Sequence, residues 1–592
     1  MSFRILLIYP PASQHESGTD GHHAQHGRLV AADLSGRDPD RLFMPYGMLT
    51  ITAELRALGF DADVINLSTS TWQQAVAAIR DRPADLFGVS CYTFHRHAAA
   101  ALGAEIKGLF PGSHLTVGGP HVSALPLEWL DHYPAFDSVV VCEGEATVVE
   151  LAQRLEAGEP AHDVPGTAYR AGNSATLASP RSFLADLDAL AKPWEHFDYG
   201  FLITARGCPG QCTFCSSPRL WGRKIRFRSA ENVLEEIEEL VSGRGHRFLN
   251  IKDDTFTANK KRVLAICQGI VDRGLVFRWV CDTRADRTSP EVLAAMRKAG
   301  CVRINLGVES GSPEILRNLK KRIDPEQVLK ATADARELGL DVRFYLIMGS
   351  RGETPATLRR TLEFVEKARP TTCLFHGLAL YPGTEDFEFA RQLGLISVEG
   401  YFDPGAPERD CFNLGENSAR MTHVLNAAGG NLFGTERVQA PYTTAEREEI
   451  LARHPEMLLS YTDLAVSYAQ QWRLDDAERV LNRAAETCGG QTPEILHSLA
   501  CVSFARRDFA AAQGYFHRAL EAAPSDSRLV RNWMTIQAAG AMDFQEQGRV
   551  AQQLLANLCS PEFIYLPDGT HQLTLPLTSA GGHPTGRAGR LA

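Results

Sequence analysis

Two successive blocks, in which short β-rich runs alternate with amphipathic helical stretches, restrict this chain to parallel-sheet architectures. In the first block the runs fall at 4–9, 63–66, 86–90, 115–118 and 138–141. Helical stretches at 47–58, 72–80, 98–109 and 146–155 separate or follow them. That pattern predicts a doubly wound parallel sheet, whose ligands bind where the C-terminal ends of the strands meet loops and helix N-termini. The second block has runs at 201–205, 247–252, 277–282, 303–308, 342–348 and 373–380. Six strand–helix units predict an open, partial (β/α)6 barrel of TIM type, again with its site at the strand C-terminal ends. The fold class is therefore α/β, with a helical region after it.

The chemistry of the second block is concentrated directly after its first run. Cys208, Cys212 and Cys215 are spaced CxxxCxxC on a loop that begins at Arg206-Gly207. A loop can turn three thiolates toward one centre, which a strand with alternating faces does not easily do. Soft thiolates select zinc or an iron–sulfur cluster. A structural zinc site uses four protein ligands, and no fourth Cys or His lies close by in sequence. Three ligands on a cubane cluster leave one iron open for an exogenous ligand. A zinc site completed by a distant residue, or three unrelated buried thiols, are the plainer readings.

The spacing, Phe214 before the last cysteine and the position after a first strand resemble the radical S-adenosylmethionine (SAM) superfamily. The resemblance implies a [4Fe-4S] cluster whose open iron chelates SAM, and cleavage of SAM to methionine and a 5′-deoxyadenosyl radical on reduction. It also implies cofactor contacts at the strand ends. Asp253 or Asp254 would meet the SAM amino group, Arg284 its carboxylate, and Gly307, Glu309 and Ser310 the ribose and methionine. The family's Gly-Gly-Glu lacks its glycines here, which leaves open which Asp contributes. Any one of these residues alone reads as a helix cap or surface ion pair; their recurrence at successive strand ends carries the reading. No residue is singled out as acting on substrate.

The strand ends of the first block carry Tyr9, Pro10, Pro11, Ser90, Tyr92, Gly118, Gly119, His121, Glu143 and Gly144, with Tyr46 opening the first helix. They look like the flavodoxin-like cobalamin-binding domain that precedes many radical SAM enzymes. No GxGxxG favours a dinucleotide. The DxHxxG motif that gives other cobalamin proteins a lower axial histidine is absent, as is common in the radical SAM group. An empty, vestigial Rossmann-like domain is the alternative. The insertion at 12–43, with His15, His22, His23 and His26, reads as a loop near the corrin edge.

The sequence divides into 1–165 (cobalamin-binding), 166–193 (linker), 194–395 (barrel), 396–450 (irregular), 451–560 (helical) and 561–592 (disordered tail). In the helical part, Leu464-Ala465, Ala477 and Ala484 recur 35 residues on as Leu499-Ala500, Ala512 and Ala519. This spacing resembles tetratricopeptide repeats, which implies close helix packing and either a structural cap or a site for a protein or carrier partner. A net charge of −10 argues against a general nucleic-acid binder. No apolar run reaches the ~18 residues that span a bilayer. Without a signal-peptide profile, and with 13 cysteines in no regular framework, the expected compartment is the cytoplasm. The resemblance implies methylation of an unactivated carbon of a natural-product, lipid or peptide substrate, with an external flavodoxin- or ferredoxin-like electron donor. A cobalamin-linked radical cyclase or rearrangement enzyme, and an iron–sulfur redox sensor or scaffold, are the alternatives.

Overall fold

The computed structural model describes residues 3–11, 45–68, 70–172, 174–403, 414–416, 424, 436–438, 441–524, 527–539 and 544–559. The histidine-bearing insertion at 12–43 and the tail at 561–592 lie outside the described residues. The first sheet runs in the order β2-β1-β3-β4-β5-β6-β7. Its strands are β1 (Arg4–Tyr9), β2 (Asp61–Asn66), β3 (Leu86–Ser90), β4 (His114–Gly118), β5 (Ser138–Val140), β6 (Thr167–Ala171) and β7 (Ser174–Leu177). Strands β1 to β5 are parallel. Their residues are apolar on both faces, as a doubly covered sheet requires. Leu6, Ile8, Phe87 and Val89 pack under helices Trp72–Arg80 and Arg96–Leu109. Ile5, Leu7, Leu86 and Val140 pack under Tyr46–Ala57 and Glu145–Glu156.

Strands β6 and β7 add an antiparallel pair at the edge, within the stretch that reads as a linker in the sequence. Both are short and half-exposed, so no apolar run marks them. Residues 166–177 therefore belong to the first sheet.

The second sheet runs β16-β15-β14-β13-β12-β11-β8. It comprises β8 (Phe201–Leu202), β11 (Phe248–Ile251), β12 (Arg278–Thr283), β13 (Cys301–Glu309), β14 (Asp341–Met348), β15 (Thr372–Gly377) and β16 (Glu436–Val438). All pairs from β8 to β15 are parallel; β16 lies antiparallel on β15 and covers that edge. Helices Ala230–Glu238, Lys260–Asp272, Pro290–Lys298, Pro325–Glu337 and Pro355–Ala368 form the outer layer. Each starts at a side-chain cap (Ser229, Asn259, Ser289, Asp324 and Thr354) that accepts a backbone N–H of its first turn. Between β8 and β11 a small antiparallel hairpin, β9 (Ala205–Arg206) with β10 (Arg226–Phe227), brackets the loop that holds the three cysteines.

Beyond the barrel, helices Leu458–Gln470 and Leu474–Thr487 are followed 35 residues later by Pro493–Ala505 and Phe509–Ala522. Ala477, Ala484, Ala512 and Ala519 are fully buried between the paired helices, where larger side chains would force them apart. This unit docks on the N-terminal end of the barrel. Leu459 packs against Phe248, Val280 and Val302 and closes that mouth. Beside it the Asp463 carboxylate pairs with Arg297 at 2.5 Å and Arg447 at 3.4 Å. Burial pushes this carboxyl up, but Arg297, Arg447 and Arg278 outweigh it and hold it below the ordinary range. The repeats therefore sit at the end of the barrel opposite the strand C-termini.

Candidate active site

The cysteine loop is fixed at both of its ends and in its middle. At its base, Gly207 has φ +98°, and a Cβ there would lie 2.5 Å from the Lys224 carbonyl oxygen. Only glycine fits this turn. In the middle, the Thr213 hydroxyl donates to Asp386 at 2.8 Å, and the Asp386 N–H donates back to the Thr213 carbonyl at 3.0 Å. Arg351 holds the other Asp386 oxygen at 2.7 Å. The Thr213 N–H reaches the Leu319 carbonyl at 3.0 Å. Phe214 packs beside Leu378, Leu380, Phe387 and Tyr401 and anchors the loop to the end of β15.

The three thiols lie close enough to feel one another's charge. Burial pushes Cys215 up to about 12, with Cys212 and Cys208 adding to the rise. Cys212 is raised by burial too, and it senses Lys321, Glu309, Arg284 and Cys208. A Cβ on Gly210 would stand 3.3 Å from the Cys208 sulfur and 3.8 Å from that of Cys212, so glycine keeps the space between the thiols open. Three soft thiolates on one short loop, with no fourth Cys or His near them in sequence, are the donors of a cluster with one open iron. The donor set fits an iron–sulfur cluster.

Around the loop, the barrel presents its strand ends. Asp253 accepts the N–H groups of Thr204 at 2.5 Å and Ala205 at 3.0 Å, and the Thr204 hydroxyl at 2.5 Å. Burial raises its pKa, and its oxygens are committed to holding the chain between β8 and β9. Asp254 is exposed and accepts from Ser217, two residues past Cys215. Of the two acids, Asp254 is the one beside the cysteine loop and available to a ligand. Glu309 takes φ +65° at a bulge in β13 and pairs with buried Lys321 at 2.7 Å. A Cβ on Gly307 would meet both partners at 2.8 Å, which accounts for the glycine. Arg284 donates to Asp286 at 2.9 Å and to the Lys321 carbonyl at 3.1 Å. Ser310 is fully buried and faces Thr361 at 2.9 Å, away from the mouth, so its hydroxyl shapes the turn.

A set of residues not singled out from sequence lines the barrel interior. Lys252, directly after β11, Asp282 on β12 and Asn305 on β13 occupy one rung; Asn305 donates to Asp282 at 2.7 Å and the Lys252 ammonium lies 3.5 Å from the Asp282 carboxylate. Tyr345 stands one rung above on β14, with the His376 ring of β15 at 6.1 Å. The side-chain amide oxygen of Asn305 is buried and has no hydrogen-bond partner among the described residues. The signal was present: these strands alternate polar and apolar residues, whereas a parallel sheet covered on both faces reads as continuous apolar runs.

At the first sheet's C-terminal edge, Pro10 and Pro11 are buried after β1 and Ser90 closes β3. Tyr9, Tyr92 and His95 form an edge-to-face group, with ring centroids 5.2 to 6.3 Å apart. Gly118 ends β4; Gly119 has φ +118°, and a Cβ there would strike the Cys91 carbonyl oxygen at 2.6 Å. His121 meets Thr93 at 3.2 Å through Nδ1, and burial, reinforced by Arg96, pushes its pKa down to about 3. Its Nε2, with Asn66 Nδ2 and Ser68 Oγ at the end of β2, has no hydrogen-bond partner among the described residues. Close-approach glycines and orphaned polar atoms along one edge fit a large ring rimmed with carboxamides, as a corrin is.

Two expected corrin contacts are committed elsewhere. The Tyr46 hydroxyl lies within 3.3 Å of the Glu236 carboxylate, which also pairs with Arg228, inside the junction with the barrel. Glu143 pairs with Arg206 at 3.1 Å and Arg226 at 2.8 Å, and a Cβ on the adjacent Gly144 would meet Ile51 at 2.8 Å. Tyr46 and Glu143 join the domains, a role invisible without knowing which residues lie opposite them.

Residues 202–365 match the Radical SAM superfamily and residues 40–152 the B12 binding domain. The uncharacterized methyltransferase PH0819 of Pyrococcus horikoshii is 30% identical over 337 residues, covering 55% of this chain and 73% of that protein. The chain belongs to the cobalamin-binding radical SAM enzymes. The anaerobic magnesium-protoporphyrin IX monomethyl ester cyclase of Cereibacter sphaeroides is 26% identical, covering 66% of this chain and 64% of the cyclase. The fold is shared with the radical SAM methyltransferase TsrM of Kitasatospora setae, at TM-score 0.55 and 17% identity, over 82% of this chain and 99% of TsrM. It is also shared with the cobalamin-dependent enzyme OxsB, at TM-score 0.51 and 14% identity, over 95% of this chain and 84% of OxsB. As a radical SAM enzyme of this family it uses a [4Fe-4S] cluster, SAM and cobalamin. Among the described residues no helix is long and apolar enough to cross a membrane.

Proposed function

We propose that this radical SAM enzyme methylates an unactivated carbon of a small-molecule substrate held in the polar interior of the barrel. The observation that carries the reading is the junction of the two ligand-bearing edges: Cys142, at the end of β5, contacts the Arg219 carbonyl of the cysteine loop at 3.4 Å. When bound, the cluster and SAM supply a carbon-centred radical, and cobalamin supplies the methyl group. Cys208, Cys212 and Cys215 hold the cluster. Asp254, Gly307, Glu309 and Arg284 surround SAM, with Lys321 fixing the Glu309 carboxylate. Tyr9, Tyr92, Gly118, Gly119 and His121 border the corrin. Lys252, Asp282, Asn305 and Tyr345 orient the substrate by hydrogen bonds.

PH0819 and the hopanoid C-2 methylase of Rhodopseudomonas palustris, 26% identical over 48% of this chain, support methyl transfer. The similarity to the cyclase supports a second reading, cyclisation without net methylation. The repeats serve as a cap on the far end of the barrel, and the enzyme works in the cytoplasm with a flavodoxin- or ferredoxin-like donor. Anaerobic reconstitution with iron, sulfide and cobalamin, followed by reduction with SAM, tests the reading. 5′-Deoxyadenosine and a substrate mass gain of one methylene per turnover are expected. Deoxyadenosine without that gain selects the cyclase; no SAM cleavage at all leaves only a redox or scaffold protein.

A further inference from the structure

We infer that a buried quartet of two arginines and two glutamates sets the distance between the cobalamin edge and the cluster loop. Arg206 and Arg226 are opposite each other in the β9–β10 hairpin, one on each strand that enters or leaves the cysteine loop. Both reach the same glutamate of the first domain: Glu143 lies 3.1 Å from Arg206 and 2.8 Å from Arg226. Arg206 forks to Glu145 at 2.6 Å, and the Thr50 hydroxyl completes that carboxylate at 3.0 Å. All four side chains are at most 7% exposed.

The quartet is neutral and hydrogen-bonded, so its members tolerate burial only together. Glu143 lies in the loop after β5 and Glu145 opens the helix Glu145–Glu156 that follows, on the edge where the corrin rests; Arg206 is two residues from Cys208. A displacement of either domain by an ångström would stretch the three cross-domain ion pairs beyond hydrogen-bond length, so the quartet favours one relative placement. Arg206, Arg226, Glu143 and Glu145 are positioning residues that touch no reacting atom. The inference rests on the reading that one domain holds cobalamin and the other the cluster, and one arm of its test does not.

The holoenzyme is reduced so that both cob(II)alamin and the cluster are paramagnetic, and their dipolar coupling is measured by pulsed EPR. The wild type gives one narrow distance. Arg206→Met and Glu143→Gln broaden it while cobalt and iron contents stay at wild-type levels, and Arg206→Lys restores part of the narrow component. Retention of the narrow distance in both Arg206→Met and Glu143→Gln overturns the inference. If Arg206→Met does not fold, Glu145→Gln, which removes one pair only, serves in its place. Amide hydrogen exchange at residues 143–145, 205–206 and 226–227 needs no cofactor and is the independent arm. There the variants lose protection by about a hundredfold or more; unchanged exchange overturns the inference. If the wild type binds no cobalamin while the variants still lose protection, the cobalamin reading is contradicted and the quartet's role as a domain clamp is supported.

Discussion

The two parallel sheets of this enzyme look alike in sequence, yet they hold ligands in opposite ways. In the first, strands such as Leu86–Ser90 are buried along their whole length and apolar side chains serve both faces, which leaves the C-terminal edge to a ligand. In the second, the outer face is apolar and the inner face is mixed, apolar at the plugged N-terminal end and polar toward the strand C-termini. The inner face carries Lys252, Asp282, Asn305 and Tyr345, so the ligand space is inside the curve of the sheet. A helix layer on both sides makes an edge site; one helix layer and a curved sheet make an interior site. The first geometry suits a wide, flat ring, and the second a smaller substrate beside SAM.

The largest expected effect separates the sheets by cofactor. Changing Cys208, Cys212 and Cys215 together to Ala removes iron and lowers 5′-deoxyadenosine formation to background, while the first sheet still binds cobalamin, as absorbance spectra will show. Next, matched substitutions on the two sheets should part in opposite directions. Val89→Asn buries an unpaired amide between two apolar layers and lowers stability by about 3 kcal/mol or more. Asn305→Leu replaces a residue that faces a polar interior; it changes stability by less than about 1.5 kcal/mol but weakens substrate binding, read as a raised KM with SAM cleavage retained. Equal destabilisation by both would break the distinction.

The far end of the barrel gives the next effect. Leu459→Ala opens the plug against Phe248, Val280 and Val302 and costs about 2–3 kcal/mol, measured as a lower thermal midpoint for the barrel alone. The smallest effect concerns His121 in the first sheet. Its folded-state pKa of about 3 lies below its ordinary value of 6.5, so the folded state binds fewer protons than the unfolded one between these values. Stability from this group is complete above pH 6.5 and falls toward pH 3, by about 1.4 kcal/mol per pH unit. His121→Phe should flatten that slope, seen in urea midpoints between pH 6.5 and 5.

Sequence patterns reached the parallel strands and the helices of both sheets because apolar runs and helix caps such as Ser229 and Thr354 are local signals. They reached the cysteine loop because three thiols in eight residues have few other uses. They did not reach β6 and β7, whose half-exposed residues form no apolar run. Nor did they assign Glu143 and Tyr46 to the domain junction, because their partners Arg206, Arg226 and Glu236 are 63, 83 and 190 residues away. Asp253 shows the same gap at short range: an acid at a strand end suggests a ligand, but here the nearest unsatisfied donors are the backbone N–H groups of Thr204 and Ala205.

The most direct test of the cluster with an open iron is the EPR spectrum of the reduced, reconstituted protein before and after SAM is added. A shift of the cluster's g-values on addition of SAM, lost in Cys212→Ala, is the predicted result. An unchanged spectrum, or zinc in place of iron at the three cysteines, would contradict the account.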